Sequence, residues 1–375
     1  MYIQRKLFVV GLIVLATLIV TACNSGSKGE KSPTPKVDTG SISGVVTDAE
    51  TNAPLDQVKI TASNSSGAEV ASVTTNATGN YKIALPANQF YSLTLTSAAH
   101  HTEIYSNIFI LVNEENILET VLKIDIAINI VTTGQISGTV LNAITGVPVP
   151  DASLSFRKGI NIRIGTVLGT TTTDTFGNYS INTLQTGSYT AEISLTGYNT
   201  IYITNLVIGG QVRANQNSAI SPILGDGETR IVLSWGATPL DLDSHLTGPD
   251  ATNSLGRFSV YFAQVGDATK APFVGLDVDD TDSYGPETIT IKLQSPGVYR
   301  YSVHDFTNLS LSLTPGSTAL ASSGAKVSVY QGKASPRVFN VPTGVGVLWT
   351  VFELNGTTIN PINSMGDTTN ERTIP

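Results

Sequence analysis

Acidic side chains and one histidine alternate with other residues in the segment 241–246, which reads DLDSHL. Alternate residues of a β-strand lie on one face, about 7 Å apart. An extended segment would therefore place Asp241, Asp243 and His245 side by side on one face. The opposite face would be the buried one, formed by Leu242, Ser244 and Leu246.

A second segment, residues 276–282, is again apolar at alternate positions and acidic between them, and it leads into GPE at 285–287. Brought together, two acidic rows repel each other at neutral pH unless a cation or an arginine lies between them. Oxygen ligands suit Ca²⁺, whereas zinc would require more histidine or cysteine. The candidate calcium ligands are Asp241, Asp243, His245, Asp277, Asp279, Asp280 and Glu287.

Two alternatives to a metal site remain open for these acids. Neither segment fits a DxDxDG calcium loop, and aspartates are also common at solvated hairpin ends. A carboxylate pair such as Asp241 and Asp279 could hydrolyse glycosides, but such an enzyme needs an aromatic cleft, and the chain has two tryptophans. His304 follows a predicted strand, and no GxSxG sequence is available to present a serine nucleophile. We therefore interpret His304 as a strand-end residue and predict no catalytic residues.

The elements that position these side chains are predicted to be β-strands. Charged residues make up only 13% of the chain, and 34 glycines punctuate it. Period-two alternation, as at Tyr81, Ile83 and Leu85, is typical of half-buried strands. Because no long amphipathic helix is evident, we predict an all-β fold of tandem antiparallel β-sandwiches.

One pattern occurs twice in the first two thirds of the chain. ISGVV at 42–46 recurs as ISGTV at 136–140, and TNATGNY at 75–81 recurs as TDTFGNY at 173–179. A repeated pattern at a nearly fixed offset indicates two copies of one structural unit. Within each copy, Gly79 and Gly177 precede a strand at a position where a hairpin tolerates positive φ, so we predict that both glycines are structural.

These repeated residues resemble the carboxypeptidase regulatory-like domain, with the fuller signature in the second copy. That copy contains GTV at 138–140, GVPVPDA at 146–152 and the stretch 173–198. The resemblance covers residues 40–222 and places two domains at 40–128 and 134–222. It implies a transthyretin-like β-sandwich that accompanies enzymes and surface proteins without catalysing a reaction itself.

The last region is predicted to be a domain at residues 228–362, and from Arg230 to about Ile362 it resembles a bacterial family of exported proteins of unknown function. The matching features are a strand ending in Trp235, the DLDxH segment at 241–245, the LDVD segment at 276–279 and the GPE turn. The resemblance implies a third extracytoplasmic β-sandwich, immunoglobulin-like in architecture, and brings no established chemistry. Residues 363–375 are predicted to be a polar tail.

The only cysteine, Cys23, follows a basic start and an apolar run. Arg5 and Lys6 precede the apolar residues 7–20, and VTAC at 20–23 ends the run with small residues, which is typical of a signal peptide. The pattern resembles the lipobox of bacterial lipoproteins, in which cleavage before the cysteine is accompanied by acylation. An ordinary secretory signal or an uncleaved anchor are the alternatives, although the run is shorter than the roughly 20 residues that span a bilayer.

The resemblance implies that residues 1–22 are a lipoprotein signal peptide and that Cys23 carries the lipid, palmitate included. Asn24 is not the aspartate associated with inner-membrane retention, which favours the outer membrane. Residues 23–39 are rich in Gly, Ser, Pro and Lys and are predicted to be a flexible tether. With its one thiol acylated, the mature chain would have no disulfide and no thiolate metal site.

Charge excludes one class of partner. Residues 1–22 hold two of the 21 cations and none of the 29 anions, so their removal leaves a formal charge of −10. Because no basic cluster lies beyond the tether, we predict no nucleic-acid binding.

The sequence favours an exported, membrane-anchored, non-catalytic module that binds an envelope protein or a polysaccharide, with calcium as a candidate stabiliser. The alternatives are a structural spacer or envelope-assembly component and, less favoured, a carboxylate-dependent hydrolase.

Overall fold

The computed structural model describes residues 38–48, 53–97, 100–112, 115–117, 120–122, 133–250, 256–309, 317–333, 335–368 and 370–374. The predicted signal peptide, Cys23 and nearly all of the predicted tether lie outside these residues. Val37–Pro375 forms one compact unit. Nearly all of its regular structure is β-strand, so the predicted all-β class is confirmed. No helix in the described part of the chain is both long enough and apolar enough to cross a bilayer.

The first β-sandwich is built from eight strands in two sheets. They are β1 (Thr39–Asp48), β2 (Lys59–Asn64), β3 (Glu69–Thr74), β4 (Asn80–Pro86), β5 (Phe90–Ser97), β6 (His100–Phe109), β7 (Glu115–Ile117) and β8 (Thr120–Leu122). One sheet has the order β4-β1-β7 with β8 also on β1, and the other has the order β3-β2-β5-β6. In β4 the alternation predicted from the sequence holds, because Tyr81, Ile83 and Leu85 are buried while Lys82 is exposed.

The second β-sandwich repeats this arrangement. Its strands are β9 (Gln135–Asn142), β10 (Ser153–Lys158), β11 (Gly169–Thr172), β12 (Asn178–Ile181), β13 (Gly187–Ser194), β14 (Ile201–Val207), β15 (Val212–Arg213) and β16 (Ser218–Ile220). The sheets have the orders β12-β9-β15, with β16 also on β9, and β11-β10-β13-β14. In both copies the first strand pairs in parallel with two short later strands, so the sheets are not antiparallel throughout.

The turn before β4 or β12 is built in the same way in both copies. Thr173 is 3% exposed; its hydroxyl donates to the carbonyl of Val149 and accepts the backbone N–H of Ala152. Thr75 makes the equivalent bonds with Leu55 and Val58. Gly79 and Gly177 have φ of +74° and +70°, which confirms the conformation predicted for them.

The third β-sandwich consists of two five-stranded sheets. Its elements are β17 (Thr229–Ser234), β18 (Leu242–Pro249), β19 (Arg257–Val260), β20 (Val274–Val278), β21 (Glu287–Ile291), β22 (Tyr299–Asp305), α1 (Ala319–Ser322), β23 (Lys326–Gln331), β24 (Arg337–Asn340), β25 (Leu348–Asn355), β26 (Thr358–Gly366) and a 3₁₀ turn (Glu371–Thr373). The sheet orders are β20-β21-β17-β23-β24 and β19-β18-β22-β25-β26.

The end of this sandwich differs from the sequence prediction. β26 continues to Gly366, beyond the boundary expected at residue 362, and Ile374 is only 4% exposed. The sequence NSMG at 363–366 shows no apolar alternation, yet Met365 packs against the core and Asn363 accepts a hydrogen bond from the Trp349 indole. The segment predicted to be a polar tail is therefore structured in part.

Apolar side chains cross both junctions between sandwiches. Ile160, Leu206 and Ile208 of the second sandwich belong to the core of the first. Val232 and Tyr330 of the third sandwich belong to the core of the second. Because burying one such side chain contributes about 1.5 to 3 kcal/mol, these shared cores resist bending between sandwiches.

Candidate metal centre

Strands β18 and β22 bring an aspartate and two histidines together in the third sandwich. Their antiparallel register pairs Asp243 with His304 and His245 with Ser302. Opposite residues in a β-pair share a face, so these side chains lie on the same side of the sheet. Leu242 and Leu246, which alternate with them, belong to the hydrophobic core.

Burial here departs from the sequence prediction. The face carrying Asp243 and His245 was expected to be the exposed one, yet these residues are 2% and 1% exposed, and Ser244 between them is fully buried. Asp241 lies one residue before β18 and is half-buried; its backbone N–H donates to the Thr307 hydroxyl. Both faces of β18 are therefore covered.

The first set of converging groups is Asp243, His245 and His304. Each contributes one potential ligand atom, and the three atoms lie within 4.8 Å of one another. Nδ1 of His304 is 3.7 Å from Oδ2 of Asp243, which is too long for a hydrogen bond. The two imidazole rings meet edge to face, with centroids 5.8 Å apart.

The second set shares Asp243 and adds Asp279 and Glu287, again with ligand atoms within 4.8 Å. Glu287 begins β21 in the opposite sheet and is fully buried. Its Oε1 accepts the backbone N–H of Ser244 at 2.8 Å, which fixes the carboxyl group against β18. Asp279 follows β20 directly and is exposed, so it forms the outer edge of the set.

Several buried polar atoms in this cluster make no hydrogen bond within the described part of the chain. They are both ring nitrogens of His245, both ring nitrogens of His304, Oε2 of Glu287 and Oδ1 of Asp241. Leaving a buried polar group unsatisfied costs about 1 to 3 kcal/mol. A cation that accepts a lone pair from one nitrogen of each ring and from a carboxylate oxygen would remove part of that cost.

Electrostatics in the cluster favours uncharged groups. Burial, reinforced by Asp243, Asp279 and Asp280, raises the pKa of Asp241 to about 7. Burial and then Asp243 raise the pKa of Glu287 well above its usual range. For these two acids, the only group that lowers the pKa through its charge is His304, acting on Asp241.

The pKa of His245 is shifted in the direction opposite to the pKa values of these acids. Burial and the neighbouring His304 lower the pKa of His245 to about 3. A neutral imidazole keeps a lone pair available, which is the form that binds metals. Carboxylates that repel one another beside the neutral imidazole of His245 form an arrangement that favours a divalent cation.

Aromatic side chains cover the cluster. The Tyr261 ring stacks on His245 with centroids 5.1 Å apart, and Tyr261 also meets Phe262 edge to face. Phe262 in turn contacts Phe306, which lies 6.5 Å from the His304 ring. This cover limits access for a substrate, as in structural metal sites, whose coordination is closed.

Three acids predicted from the sequence, Asp241, Asp277 and Asp280, belong to neither set. Asp277 accepts a hydrogen bond from the Thr290 hydroxyl at 2.5 Å, and the charges of Arg230 and Lys292 oppose the effect of burial, which raises its pKa. The β20–β21 register shifts between Leu276 and Val278, and this irregularity breaks the alternation that would have aligned Asp277 with Asp279. Asp280 accepts the backbone N–H of Asp282 in the turn, and burial raises its pKa.

His304, interpreted from the sequence as a strand-end residue, is a candidate ligand. Tyr299, Tyr301 and Val303 alternate as core residues in β22, which implies that Ser302 and His304 lie on the other face. That alternation is visible in the sequence. The pairing of β22 with β18 is not, because strand neighbours are set by tertiary contacts.

Comparisons with solved structures return proteins of low similarity. The Bacillus anthracis TIE protein is 19% identical with a TM-score of 0.20, and the alignment covers 49% of this chain and 34% of that one. This chain therefore spans about a third of the length of the TIE protein. The shaft pilin SpaA of Lactobacillus rhamnosus GG is 13% identical with a TM-score of 0.19, covering 49% and 97%. The minor pilin of Streptococcus agalactiae is 12% identical with a TM-score of 0.20, covering 50% and 97%.

No curated protein matches the chain closely enough to count as a relative. The family model described as carboxypeptidase regulatory-like domain matches two stretches. Each lies within one of the ranges expected from the repeated pattern and contains the strands of one of the first two sandwiches. The chain therefore contains two carboxypeptidase regulatory-like domains, at residues 41–123 and 135–220.

Proposed function

We propose that this protein is a lipid-anchored, non-catalytic binding module of the bacterial envelope, and that its third sandwich is stabilised by a bound divalent cation. The observation that carries the proposal is the closed burial of the acid–histidine cluster. Asp243, His245, His304 and Glu287 are each at most 2% exposed. Side chains that no substrate can reach stabilise a domain instead of catalysing a reaction.

The cation is tested by thermal unfolding of the mature chain carrying Cys23→Ser. Saturating a site at about 100 times its Kd adds about 2.7 kcal/mol of stability. For a unit of this size we expect the midpoint of the unfolding transition that includes the third sandwich to rise by roughly 5 to 10 °C over that in chelator. Asp243→Asn should abolish the rise, and Asp277→Asn, an acid of the same sandwich outside the cluster, should retain it. A midpoint that no divalent cation changes would refute the cation.

Anchoring rests on the lipobox-like residues that end at Cys23. Two or more acyl chains on one residue hold a protein at a membrane, since each buried methylene contributes about 0.8 kcal/mol. We expect the wild-type chain to incorporate labelled palmitate and to fractionate with the outer membrane. Cys23→Ser should lose the label and appear in the soluble fraction. Continued labelling of this variant would contradict the anchor.

The partner is proposed to be an envelope polysaccharide or an envelope protein. Cosedimentation of the mature chain with purified envelope polysaccharide, and separately crosslinking in intact cells, distinguishes the two. The shared cores at both junctions favour a second function, in which the first two sandwiches act as a stiff spacer that holds the third sandwich away from the membrane. Absence of both cosedimentation and crosslinking would leave the spacer as the favoured function.

A further inference from the structure

We infer that the ion held in the third sandwich is a transition metal of the zinc class, bound by Asp243, His245 and His304 with Glu287 in the fourth position. The inference rests on the proposed function for the presence of a cation and adds which ion it is and which side chains hold it. It replaces calcium, the ion favoured by the sequence alone.

The donor atoms decide between the two classes of ion. Calcium and magnesium take oxygen ligands, whereas imidazole nitrogen suits zinc and its neighbours in the transition series. His245 and His304 are 1% and 0% exposed, and none of their four ring nitrogens makes a hydrogen bond with another described residue. A calcium ion would satisfy the carboxylates and leave these nitrogens buried without a partner. A zinc ion would use one nitrogen from each ring.

The spacing of the ligand atoms fits a small ion. Around tetrahedral zinc, ligand atoms about 2.1 Å from the metal lie roughly 3.4 Å from one another. Nδ1 of His304 and Oδ2 of Asp243 are 3.7 Å apart, close to that separation. The full set of Asp243, His245 and His304 lies within 4.8 Å, so small rotations of the side chains close the site.

Glu287 is the candidate for the fourth ligand. Its Oε1 is held by the Ser244 backbone N–H, while its Oε2 is buried and makes no hydrogen bond with a described residue. A carboxylate oxygen of Glu287 lies within 4.8 Å of one on Asp243, but at that spacing Glu287 belongs to the set with Asp279 and not to the set with the histidines, so its side chain must move toward them to complete the site. Two imidazoles and two carboxylates from β18, β22 and β21 would link the two sheets of the sandwich through one ion. This linkage assigns the metal a structural role.

The experiment is metal titration of the mature chain carrying Cys23→Ser after treatment with chelator. We expect one equivalent of Zn²⁺ to bind by calorimetry, and Co²⁺ to give the visible absorption of a tetrahedral site with nitrogen ligands. Ca²⁺ at the same concentration should give no heat. His245→Gln and His304→Gln should each weaken Zn²⁺ binding at least 100-fold, while Asp277→Asn should leave it unchanged.

Different outcomes separate this inference from the proposed function. Calcium binding that survives both histidine substitutions would overturn the zinc assignment and keep the stabilising cation. Failure of every divalent ion to bind would overturn both. Zinc binding that is unchanged in both histidine variants would show adsorption elsewhere on the chain and would also overturn the assignment. If a histidine variant does not fold, the Co²⁺ spectrum of the parent chain decides, because an octahedral all-oxygen spectrum contradicts histidine ligation.

Discussion

His304 lies directly opposite Asp243 in the antiparallel pairing of β18 with β22, with its Nδ1 3.7 Å from the aspartate Oδ2. This pairing joins a residue near the end of β22 to a residue near the start of β18, about 60 positions away in the chain. Because of this pairing, the site contains a second histidine, His304, in addition to the His245 of the acidic segment. The chemistry of the third sandwich therefore depends on strand order as well as on the DLDSH sequence.

Glu287→Gln is expected to separate metal binding from the stability of the metal-free chain. Burial and Asp243 raise the pKa of Glu287 well above its usual range, which favours the uncharged form of this residue in the metal-free protein. Glutamine is close in shape and keeps an oxygen acceptor for the Ser244 N–H. In chelator the unfolding midpoint should change by less than about 2 °C, which corresponds to a near-neutral substitution. The increment produced by the metal should fall to less than half. If the metal raises the unfolding midpoint of Glu287→Gln as much as that of the parent chain, then Glu287 is not a ligand.

The sequence predicted much of this cluster but not all of it. The two-residue period of a strand placed Asp243 and His245 on one face without knowledge of the fold, and the structure keeps them there. The same period failed for Asp277, because an irregularity in the β20–β21 pairing turns its side chain to Thr290 and the vicinity of Arg230. Such a register shift cannot be predicted from the alternation of residue types.

The larger difference between prediction and structure is the burial of the face of β18 that carries Asp243 and His245. A strand with carboxylates on one face is normally taken to expose that face, yet Tyr261 covers His245. Tyr261 directly follows β19, and the pairing of β19 with β18, which sets Val260 opposite Leu246, brings the Tyr261 ring over His245. The residue pattern of β18 alone does not show that pairing. The two repeated sandwiches were more predictable, because each copy carries its own turn residues, core alternation and threonine within a single continuous stretch.

Gly177→Ala is expected to destabilise the second sandwich more than Gly197→Ala does. Both glycines have positive φ, +70° and +88°, which costs an alanine about 1 to 2 kcal/mol. A Cβ on Gly177 would also lie 2.7 Å from the Val140 carbonyl oxygen, whereas a Cβ on Gly197 meets nothing within 4 Å. Chemical denaturation should therefore give a larger loss at Gly177. Equal losses would show that the contact with Val140 relaxes freely.

Thr173→Val tests the buried hydroxyl that both copies use to close the turn. Valine has nearly the same shape but leaves the Val149 carbonyl and the Ala152 N–H without their partner. Two unsatisfied backbone groups should lower the free energy of unfolding by about 2 to 4 kcal/mol. Thr170→Val, at an exposed position of β11, should change it by less than about 0.5 kcal/mol. A loss at Thr173 no larger than at Thr170 would mean that water replaces the hydroxyl.

Arg230→Met tests the coupling between the second and third sandwiches. Arg230 is 4% exposed; its Nη1 donates to the Ser221 hydroxyl at 2.6 Å and to the Pro222 carbonyl at 3.0 Å. Methionine fills the space but removes both of these charge-assisted bonds, although the Ser221 hydroxyl still donates to the Pro222 carbonyl. We therefore expect a loss of about 2 to 4 kcal/mol.

The measurement is calorimetry, which should show the second and third sandwiches melting together in the parent chain and separately in Arg230→Met. Lys292→Met is the matched control, since it removes a cation that is 46% exposed and paired with Glu228 in the same region. Exposed ion pairs contribute roughly 0 to 1 kcal/mol, so the control should keep a single transition. If Arg230→Met also keeps a single transition at an unchanged midpoint, then the apolar contacts of Val232 and Tyr330 alone couple the two sandwiches.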